Sequence, residues 1–198
     1  MSKLYFTYSA MNAGKSAILL QAAHNYGERG MEVMLWTSVL HATPPGEAMC
    51  QIQSRLRLRA PAHIYADGTD LFAATEARQQ AAPLGAVFLD EAQFLTAGQV
   101  RDLACVGDDL GLPVLCYGLR TDFRGALFPG SAELLALADH LREVRTICQC
   151  GKKSTVVVRM DAGSRTLTDG AQVQIGGNET YTSLCRKHWR EATGDVGD

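Results

Sequence analysis

The sequence predicts an α/β fold, in which helices flank a parallel sheet and a small C-terminal lobe follows. Predicted strands alternate with predicted helices through residue 147, which is the pattern of a parallel sheet with right-handed crossovers. Residues 86–90 and 113–118 are almost continuously apolar, as expected for strands buried on both faces. After Cys148 the chain changes to short strands and glycine-rich turns. We therefore predict two domains, residues 1–147 and residues 148–198.

Each element follows from local composition. Runs of aromatic and β-branched residues bounded by small residues predict strands, and runs rich in alanine and leucine predict helices. Predicted strands cover residues 4–8, 31–36, 62–65, 86–90, 113–118, 144–147, 156–158 and 172–175. Predicted helices cover residues 17–23, 97–110 and 134–138, with one more that ends near residue 80. Residues 38–61 contain Pro44-Pro45-Gly46 and three arginines, and we predict a loop there.

Composition excludes several classes of protein. The chain of 198 residues has a formal net charge of −2, so no global basic field supports nucleic-acid binding. No segment approaches the roughly 20 apolar residues of a membrane span. The N-terminus runs directly into a strand pattern and lacks the apolar core of a signal peptide. We expect a cytoplasmic protein whose six cysteines are reduced or bound to metal.

A phosphate-binding loop follows the first predicted strand. It reads Ser9-Ala10-Met11-Asn12-Ala13-Gly14-Lys15-Ser16, which fits G-x-x-x-x-G-K-[ST] except at its first position. Gly14 lets the backbone approach phosphate oxygens, and the N–H groups at the helix start attract negative charge. Lys15 is expected to reach the β- and γ-phosphates of ATP, and the Ser16 hydroxyl to bind Mg²⁺. The strand and helix around the loop indicate a P-loop NTPase-type sheet.

Two acids end the buried strand at residues 86–90. Open α/β sheets bind their ligands at the carboxyl ends of the strands, where Asp90 and Glu91 lie. Asp90 fits the second Mg²⁺-holding position of a P-loop enzyme. Glu91 is a candidate general base, because a glutamate with an ordinary pKa of about 4.3 is ionised at pH 7. In isolation the pair would be read as a solvated turn, but the phosphate loop favours the functional interpretation.

Four segments together resemble the cytosolic, or type II, thymidine kinase family. They are residues 8–16, Asp90-Glu91-Ala92-Gln93-Phe94, residues 117–125, and Ile175-Gly176-Gly177-Asn178-Glu179-Thr180-Tyr181. They occur in family order and span nearly the whole chain. The resemblance implies transfer of the γ-phosphoryl group of ATP to the 5′-hydroxyl of thymidine, by a homotetramer with a zinc-stabilised lobe. It also implies that thymidine and ATP are its partners, and that nucleic acid and membrane are not.

The resemblance also implies roles for individual residues. Glu91 takes the proton of the 5′-hydroxyl, while Asp90 and Ser16 organise Mg²⁺. A lasso loop that carries Tyr181 closes over the base. Residues expected to contact the nucleotide are Ser9, Ala10, Met11, Asn12, Ala13, Gly14, Lys15, Ser16, Asp90, Glu91, Ala92 and Gln93. Residues expected to contact the nucleoside are Met11, Phe94, Leu119, Phe123, Phe128, Gln174, Ile175, Gly176 and Tyr181. From composition alone, the three phenylalanines would be read as core residues.

Cysteine and histidine residues form two close pairs in the second domain. Cys148 and Cys150 form one pair, Cys185 and His188 the other, and thiolate with imidazole is a donor set that zinc prefers. Because C-x-C is tighter than the usual C-x-x-C, the spacing alone leaves open two unrelated thiol pairs. The resemblance implies a structural zinc ion at these four residues. A lobe of this size also needs such a staple.

The sequence departs from the family at one functional element and leaves two other functions open. Residues 40–46 lack the Asp-x-Arg element that the family often has after its second strand, so its contact is absent or comes from elsewhere, with Arg55 or Arg57 as candidates. Asp90-Glu91-Ala92-Gln93 superficially resembles a helicase box, which would indicate a nucleic-acid-stimulated ATPase. The cysteine cluster would also suit a non-enzymatic zinc-ribbon module. Arg120 and Arg124 are candidates to steady the transferring phosphoryl group.

Overall fold

The computed structural model describes residues 3–40, 49–161, 165–172 and 181–194. Their main feature is a seven-stranded sheet. Its strands are β1 Leu4–Ser9, β2 Glu32–Ser38, β3 Met49–Gln53, β4 Arg59–Tyr65, β5 Leu84–Leu89, β6 Val114–Leu119 and β7 His140–Glu143. They lie in the order β3-β4-β2-β5-β6-β1-β7, and only the edge strand β3 runs antiparallel to its neighbour within these residues. The predicted parallel α/β sheet is confirmed.

Helices cover both faces of this sheet. They are α1 Lys15–Gly27, α2 Leu71–Ala81, α3 Ala97–Asp109 and α4 Pro129–Leu137. Ala86 and Phe88 of β5 belong to the core cluster under α1, whereas Val87 and Leu89 face the cluster under α2, α3 and α4. Both sets are fully buried, so the continuous apolar run of β5 reflects burial on two sides. Within the described ranges no helix combines the length and apolar character needed to cross a membrane.

The C-terminal lobe is a separate small layer. A two-stranded ribbon pairs β8 Thr146–Ile147 with β9 Lys153–Ser154. A three-stranded antiparallel sheet places β10 Val156–Met160 between β11 Thr166–Leu167 and β12 Tyr181–Leu184, and α5 Arg186–Thr193 follows. Its buried cluster contains Cys148, Val158, Leu184 and Cys185, with Trp189 packed against it. The domain boundary near residue 147 stays a prediction.

Three element predictions need correction. The loop predicted over residues 38–61 contains β3 and the start of β4, whose antiparallel pairing stabilises a polar segment that has no strand-like pattern. The last strand of the sheet is β7, whereas residues 146–147 of the predicted strand pair with β9. Because β7 is a mostly exposed edge strand, it lacks the apolar run that would predict a buried strand.

Helix α4 begins earlier than predicted, at Pro129, since proline is tolerated in a first helical turn. Residues 173–175 of the predicted strand 172–175 lie outside the described ranges.

Candidate active site

The phosphate loop connects β1 to α1 through two left-handed residues. Asn12 has φ +66° and Gly14, the N-cap of α1, has φ +84°. Asparagine is one of the few non-glycine residues that adopt this conformation readily, and glycine does so without strain. Ser9, which replaces the usual first glycine, is the last residue of β1 and has no positive φ, so no backbone strain arises there. Serine is therefore compatible with the backbone conformation of the loop at position 9.

Lys15 is drawn inward under the loop. It is 9% exposed, and its Nζ donates to Ser9 Oγ at 3.0 Å and to the Ala10 carbonyl at 3.3 Å. Burial lowers the pKa of Lys15, and the nearby carboxylates of Glu91 and Asp90 oppose that shift. Ser9 therefore supplies a side-chain acceptor for the lysine that a glycine would lack.

Asp90 lies directly after β5 and beside the phosphate loop. Its carboxyl group is buried, and it hydrogen bonds to the Ser16 side chain and accepts from the Glu91 N–H at 3.1 Å. Burial and then the neighbouring Glu91 raise the pKa of Asp90 to about 7, while Ser16 and Lys15 oppose the rise. A carboxylate and a hydroxyl in contact, close to a phosphate-binding loop, are oxygen donors of the kind that Mg²⁺ prefers.

Glu91 is held in an uncommon backbone conformation. Its φ and ψ are +56° and +34°, and it precedes a 3-10 helix, Ala92–Phe94. Its carbonyl accepts from the Tyr65 hydroxyl at 2.7 Å, and its carboxylate accepts from Gln93 Nε2 at 2.5 Å. The buried Gln93 also accepts the Leu119 N–H at 2.9 Å, which joins the ends of β5 and β6. Left-handed non-glycine residues cluster at functional sites, where surrounding contacts enforce them.

A cavity of about 700 Å³ joins the loop to the acidic strand end. Residues 11–17 line it, and so do the half-buried Glu91 and its neighbour Gln93. Its other described walls include Phe94, Leu119, Phe123, Phe128, Val157 and Tyr181. One compartment therefore offers an anion-binding loop, a carboxylate and an apolar, partly aromatic enclosure. This arrangement suits a phosphate donor next to a flat, largely apolar acceptor.

A second group of chemistry-bearing residues lies in the C-terminal lobe. The ligand atoms of Cys148, Cys150, Cys185 and His188 all lie within 4.8 Å of one another. Cys150 Sγ and Cys185 Sγ are 3.8 Å apart, and Cys148 Sγ is 3.2 Å from His188 Nδ1. Two sulfurs bound to one tetrahedral zinc at about 2.3 Å would be separated by about 3.8 Å. The donor set and its spacing therefore fit a zinc ion.

The two cysteines of the first pair differ in their electrostatics. The backbone hydrogen bond from Lys152 lowers the pKa of the Cys150 thiol, but burial and the hydrogen bonds with Cys148 and Cys185 outweigh it and raise that pKa. Burial raises the pKa of the Cys148 thiol, but backbone hydrogen bonds from Cys150 and Cys185 and the His188 side chain outweigh it and lower that pKa to about 6. A thiolate at neutral pH is the form that binds metal.

Comparison with known proteins identifies the family. A family model described as "Thymidine kinase" matches residues 2–189. The chain belongs to the thymidine kinase family. It is 60% identical to the thymidine kinase of Ruegeria pomeroyi over 100% of this chain and 98% of that protein. It is also 56% identical to that of Jannaschia sp., over 99% of each chain, and 51% identical to that of Agrobacterium fabrum, over 96% of this chain and 97% of the relative. The resemblance inferred from the four segments is confirmed.

Most of the residues expected from the thymidine kinase family to contact the nucleoside lie together. Met11, Phe94, Leu119, Phe123, Phe128 and Tyr181 all line the cavity. The rings of Phe94 and Phe128 meet edge to face at 5.8 Å. Gln174, Ile175 and Gly176 lie outside the described residues. Among the residues expected to contact the nucleotide, Ala92 is fully buried in the core and Gln93 faces Glu91, which makes Gln93 a positioning residue for that carboxylate.

Two features of the cavity do not follow from the thymidine kinase motifs alone. The turn between β3 and β4 brings Arg55 to the cavity, whereas Arg57 is not among its lining residues. The buried carboxylate of Asp122 accepts from Gln172 Nε2 at 3.1 Å, which ties the strand end to the segment before the lasso loop. Arg55 belongs to no family motif, and the sequence offers it only as a candidate alongside Arg57. Asp122 lies within the motif of residues 117–125, but its contact with Gln172 follows only from the tertiary structure.

Arg120 and Arg124 point to other partners. Arg120 donates to the Thr155 carbonyl at 3.2 Å, and Arg124 pairs with Asp122 at 3.1 Å. Neither is among the described residues that line the cavity, so the proposed contact of either arginine with the transferring phosphoryl group gains no support.

Proposed function

We propose that this member of the thymidine kinase family transfers the γ-phosphoryl group of ATP to the 5′-hydroxyl of thymidine, and of deoxyuridine, giving the 5′-monophosphate and ADP. Such a reaction serves nucleotide salvage for DNA synthesis. The observation that carries the proposal is that Glu91 and the phosphate loop line one cavity. A base that faces an anion-binding loop across a space of about 700 Å³ can serve an acceptor hydroxyl and a donor phosphate together.

The donor side relies on charge and on backbone geometry. The N–H groups of residues 12–16 and the Lys15 ammonium would bind the β- and γ-phosphates. The Ser16 hydroxyl and the Asp90 carboxylate would hold Mg²⁺, which neutralises charge on the phosphates when bound. The Lys15 ammonium group donates to Ser9 Oγ and to the Ala10 carbonyl, which hold it beside the loop. When ATP binds, phosphate oxygens would replace these two acceptors.

The acceptor side relies on Glu91. Its carboxylate would accept the proton of the 5′-hydroxyl while that oxygen forms a bond to the γ-phosphorus and the bond to the ADP oxygen breaks. Gln93 would keep the carboxylate aimed into the cavity, because its amide binds Glu91 with one end and the β6 backbone with the other. The aromatic walls at Phe94, Phe128 and Tyr181 would enclose the base.

The C-terminal lobe would complete the nucleoside side. We propose that Cys148, Cys150, Cys185 and His188 hold a structural zinc ion, whose four protein ligands leave no open catalytic position. Ser183 Oγ donates to the Met11 carbonyl at 2.8 Å, and Trp189 Nε1 donates to the Phe123 carbonyl at 3.1 Å. These two hydrogen bonds support the proposal that the lobe, residues 148–198, positions the lasso loop expected to close over the base. Homotetramer assembly and a cytoplasmic location remain expectations from the family and the composition.

A coupled ADP-release assay across the common nucleosides tests the proposed function. We expect turnover with thymidine and deoxyuridine and little with purine nucleosides. A nucleic-acid-stimulated ATPase would instead release ADP with DNA and without any nucleoside. That result, or the absence of phosphorylated thymidine among the products, would contradict the kinase assignment.

A further inference from the structure

A second concave surface, the basic groove, lies outside the kinase cavity. Among the described residues, six basic side chains line it: Arg120, Lys152, Lys153, Arg186, Lys187 and Arg190. They come from the residue after β6, from the β8–β9 turn with the start of β9, and from α5. The groove encloses about 870 Å³ and shares no described lining residue with the cavity of the phosphate loop. Its size falls within the range of small-molecule sites.

The positive charge of the groove is concentrated. The chain has 19 lysines and arginines and a net charge of −2, so six basic residues in one groove far exceed an even distribution. Glu191 is the one acid among its described lining residues. Electrostatic repulsion among like charges makes such a cluster unfavourable unless an anion lies between them.

Among the described residues, acids pair with some of these six cations. Lys153 pairs with Glu143, and Lys187 lies 3.7 Å from Glu191. Within the described ranges neither Lys152 nor Arg186 forms an ion pair, and both side chains are exposed. A zinc ion with three thiolates and a neutral imidazole would carry about one negative charge, which is too little to balance the groove.

We propose that the basic groove binds the phosphate chain of a small anionic ligand, either a nucleotide or an inorganic polyphosphate, at a site separate from the phosphate loop. Arginine forks and lysine ammonium groups are the usual protein partners of phosphate. A groove of about 870 Å³ on a chain of net negative charge favours a short polyanion over a long nucleic acid. Arg120 adjoins Leu119 and Thr121, which line the kinase cavity, so the two sites meet at the end of β6.

Calorimetric titration of the zinc-loaded full chain with inorganic tripolyphosphate tests the proposal. We expect two sites in the wild type, and Lys15→Ala removes the one at the phosphate loop. In that background, K152Q together with R186Q should weaken the remaining site by about tenfold or more, since each lost cation removes a charge-assisted contact. R29Q together with R165Q is the matched control, because it removes two exposed charges elsewhere. A missing second site, or equal weakening in both pairs, would overturn the proposal.

Two further measurements keep the outcome specific. Zinc content is measured in every variant, and Lys152→Gln alone carries the test if the double variant loses its metal. Comparing ATP with tripolyphosphate in the Lys15→Ala background identifies the source of the phosphate: equal affinity indicates the bare chain, and tighter ATP binding indicates a nucleotide. The thymidine phosphorylation assay is run in parallel. If the wild type binds tripolyphosphate in the groove but does not phosphorylate thymidine, the proposed function is contradicted and the proposed groove site still stands.

Discussion

The two walls of the kinase cavity are stabilised in different ways. The sheet wall, at the ends of β5 and β6, rests on strands whose residues Val87, Leu89 and Val114 are fully buried between two layers of helices. The lobe wall rests on a small cluster in which two of the buried residues, Cys148 and Cys185, belong to the candidate metal site. Among the described residues, the lobe is joined to the sheet by polar contacts that include Ser183 to Met11, Trp189 to Phe123 and Gln172 to Asp122.

Because the two walls are stabilised differently, the chemical step and the binding of the acceptor should be separable by mutation. Hydrophobic burial keeps the carboxylate and the phosphate loop in place, whereas the lobe would depend on the proposed zinc ion and on hydrogen bonds to the sheet. Damage to the sheet wall at Glu91 should reduce turnover with little change in binding. Damage to the lobe should weaken thymidine binding first. The variants below test whether the two walls have these separate roles.

Glu91→Gln should have the largest effect. Loss of the base is expected to lower kcat by about 10²- to 10⁴-fold, while affinity for ATP and the melting temperature stay close to wild type. Coupled ADP release measures kcat, and calorimetry measures ATP binding. Glu28→Gln, an exposed glutamate at the end of α1, is the matched control. A kcat near the wild-type value would remove Glu91 from the role of base.

Cys185→Ser, or removal of metal by a chelator, should act on the lobe. We expect loss of bound zinc, a lower melting temperature and a rise in KM for thymidine of about tenfold, with a much smaller change in KM for ATP. Metal analysis, thermal unfolding and steady-state kinetics measure these effects. Cys105→Ser, at an exposed position of α3, provides the control. Full zinc content together with unchanged stability would show that the four residues hold no structural metal.

Gln93→Ala should lower both the free energy of unfolding and kcat, because Gln93 makes hydrogen bonds within the sheet wall. The variant loses the hydrogen bond to Glu91 and leaves the Leu119 N–H without its acceptor, which costs about 1–3 kcal/mol of unfolding free energy. A misplaced carboxylate should lower kcat by about 10²-fold. In the Glu91→Gln background the same change should have little further effect on kcat, because it acts through that residue. Additive losses in the double variant would argue against a positioning role.

Arg55→Ala compared with Arg57→Ala tests the turn between β3 and β4. Since Arg55 lines the cavity and Arg57 does not, we expect only the former to raise KM for ATP, by about three- to tenfold. Arg55→Lys should restore part of the loss. Equal effects of the two alanine variants would mean that the cavity gains nothing specific from Arg55.

Trp189→Phe should have the smallest effect. It keeps most of the packing on the Cys148–Cys185 cluster but removes the N–H that binds the Phe123 carbonyl, a loss of about 1 kcal/mol. KM for thymidine should rise about twofold to fivefold while kcat stays nearly constant. A fall in kcat without a change in KM would show that the lobe also controls the chemical step.

Local sequence was enough to predict the phosphate loop, the acids after the buried strand and the two close pairs, Cys148 with Cys150 and Cys185 with His188. Each depends on local requirements: a left-handed glycine before a helix, a carboxylate at the end of an apolar run, and ligands at short spacing. The phenylalanines of the cavity could be assigned only through the family resemblance, because their composition is equally typical of a core.

The distant residues that share the cavity and the basic groove are brought together by the three-dimensional fold. Arg55 reaches the cavity through a polar hairpin that shows no strand pattern, and β7 forms the sheet edge with exposed residues. Gln93 joins β5 to β6, and the six cations of the groove come from separate parts of the chain. Such contacts depend on long-range packing and strand register, which local composition does not encode.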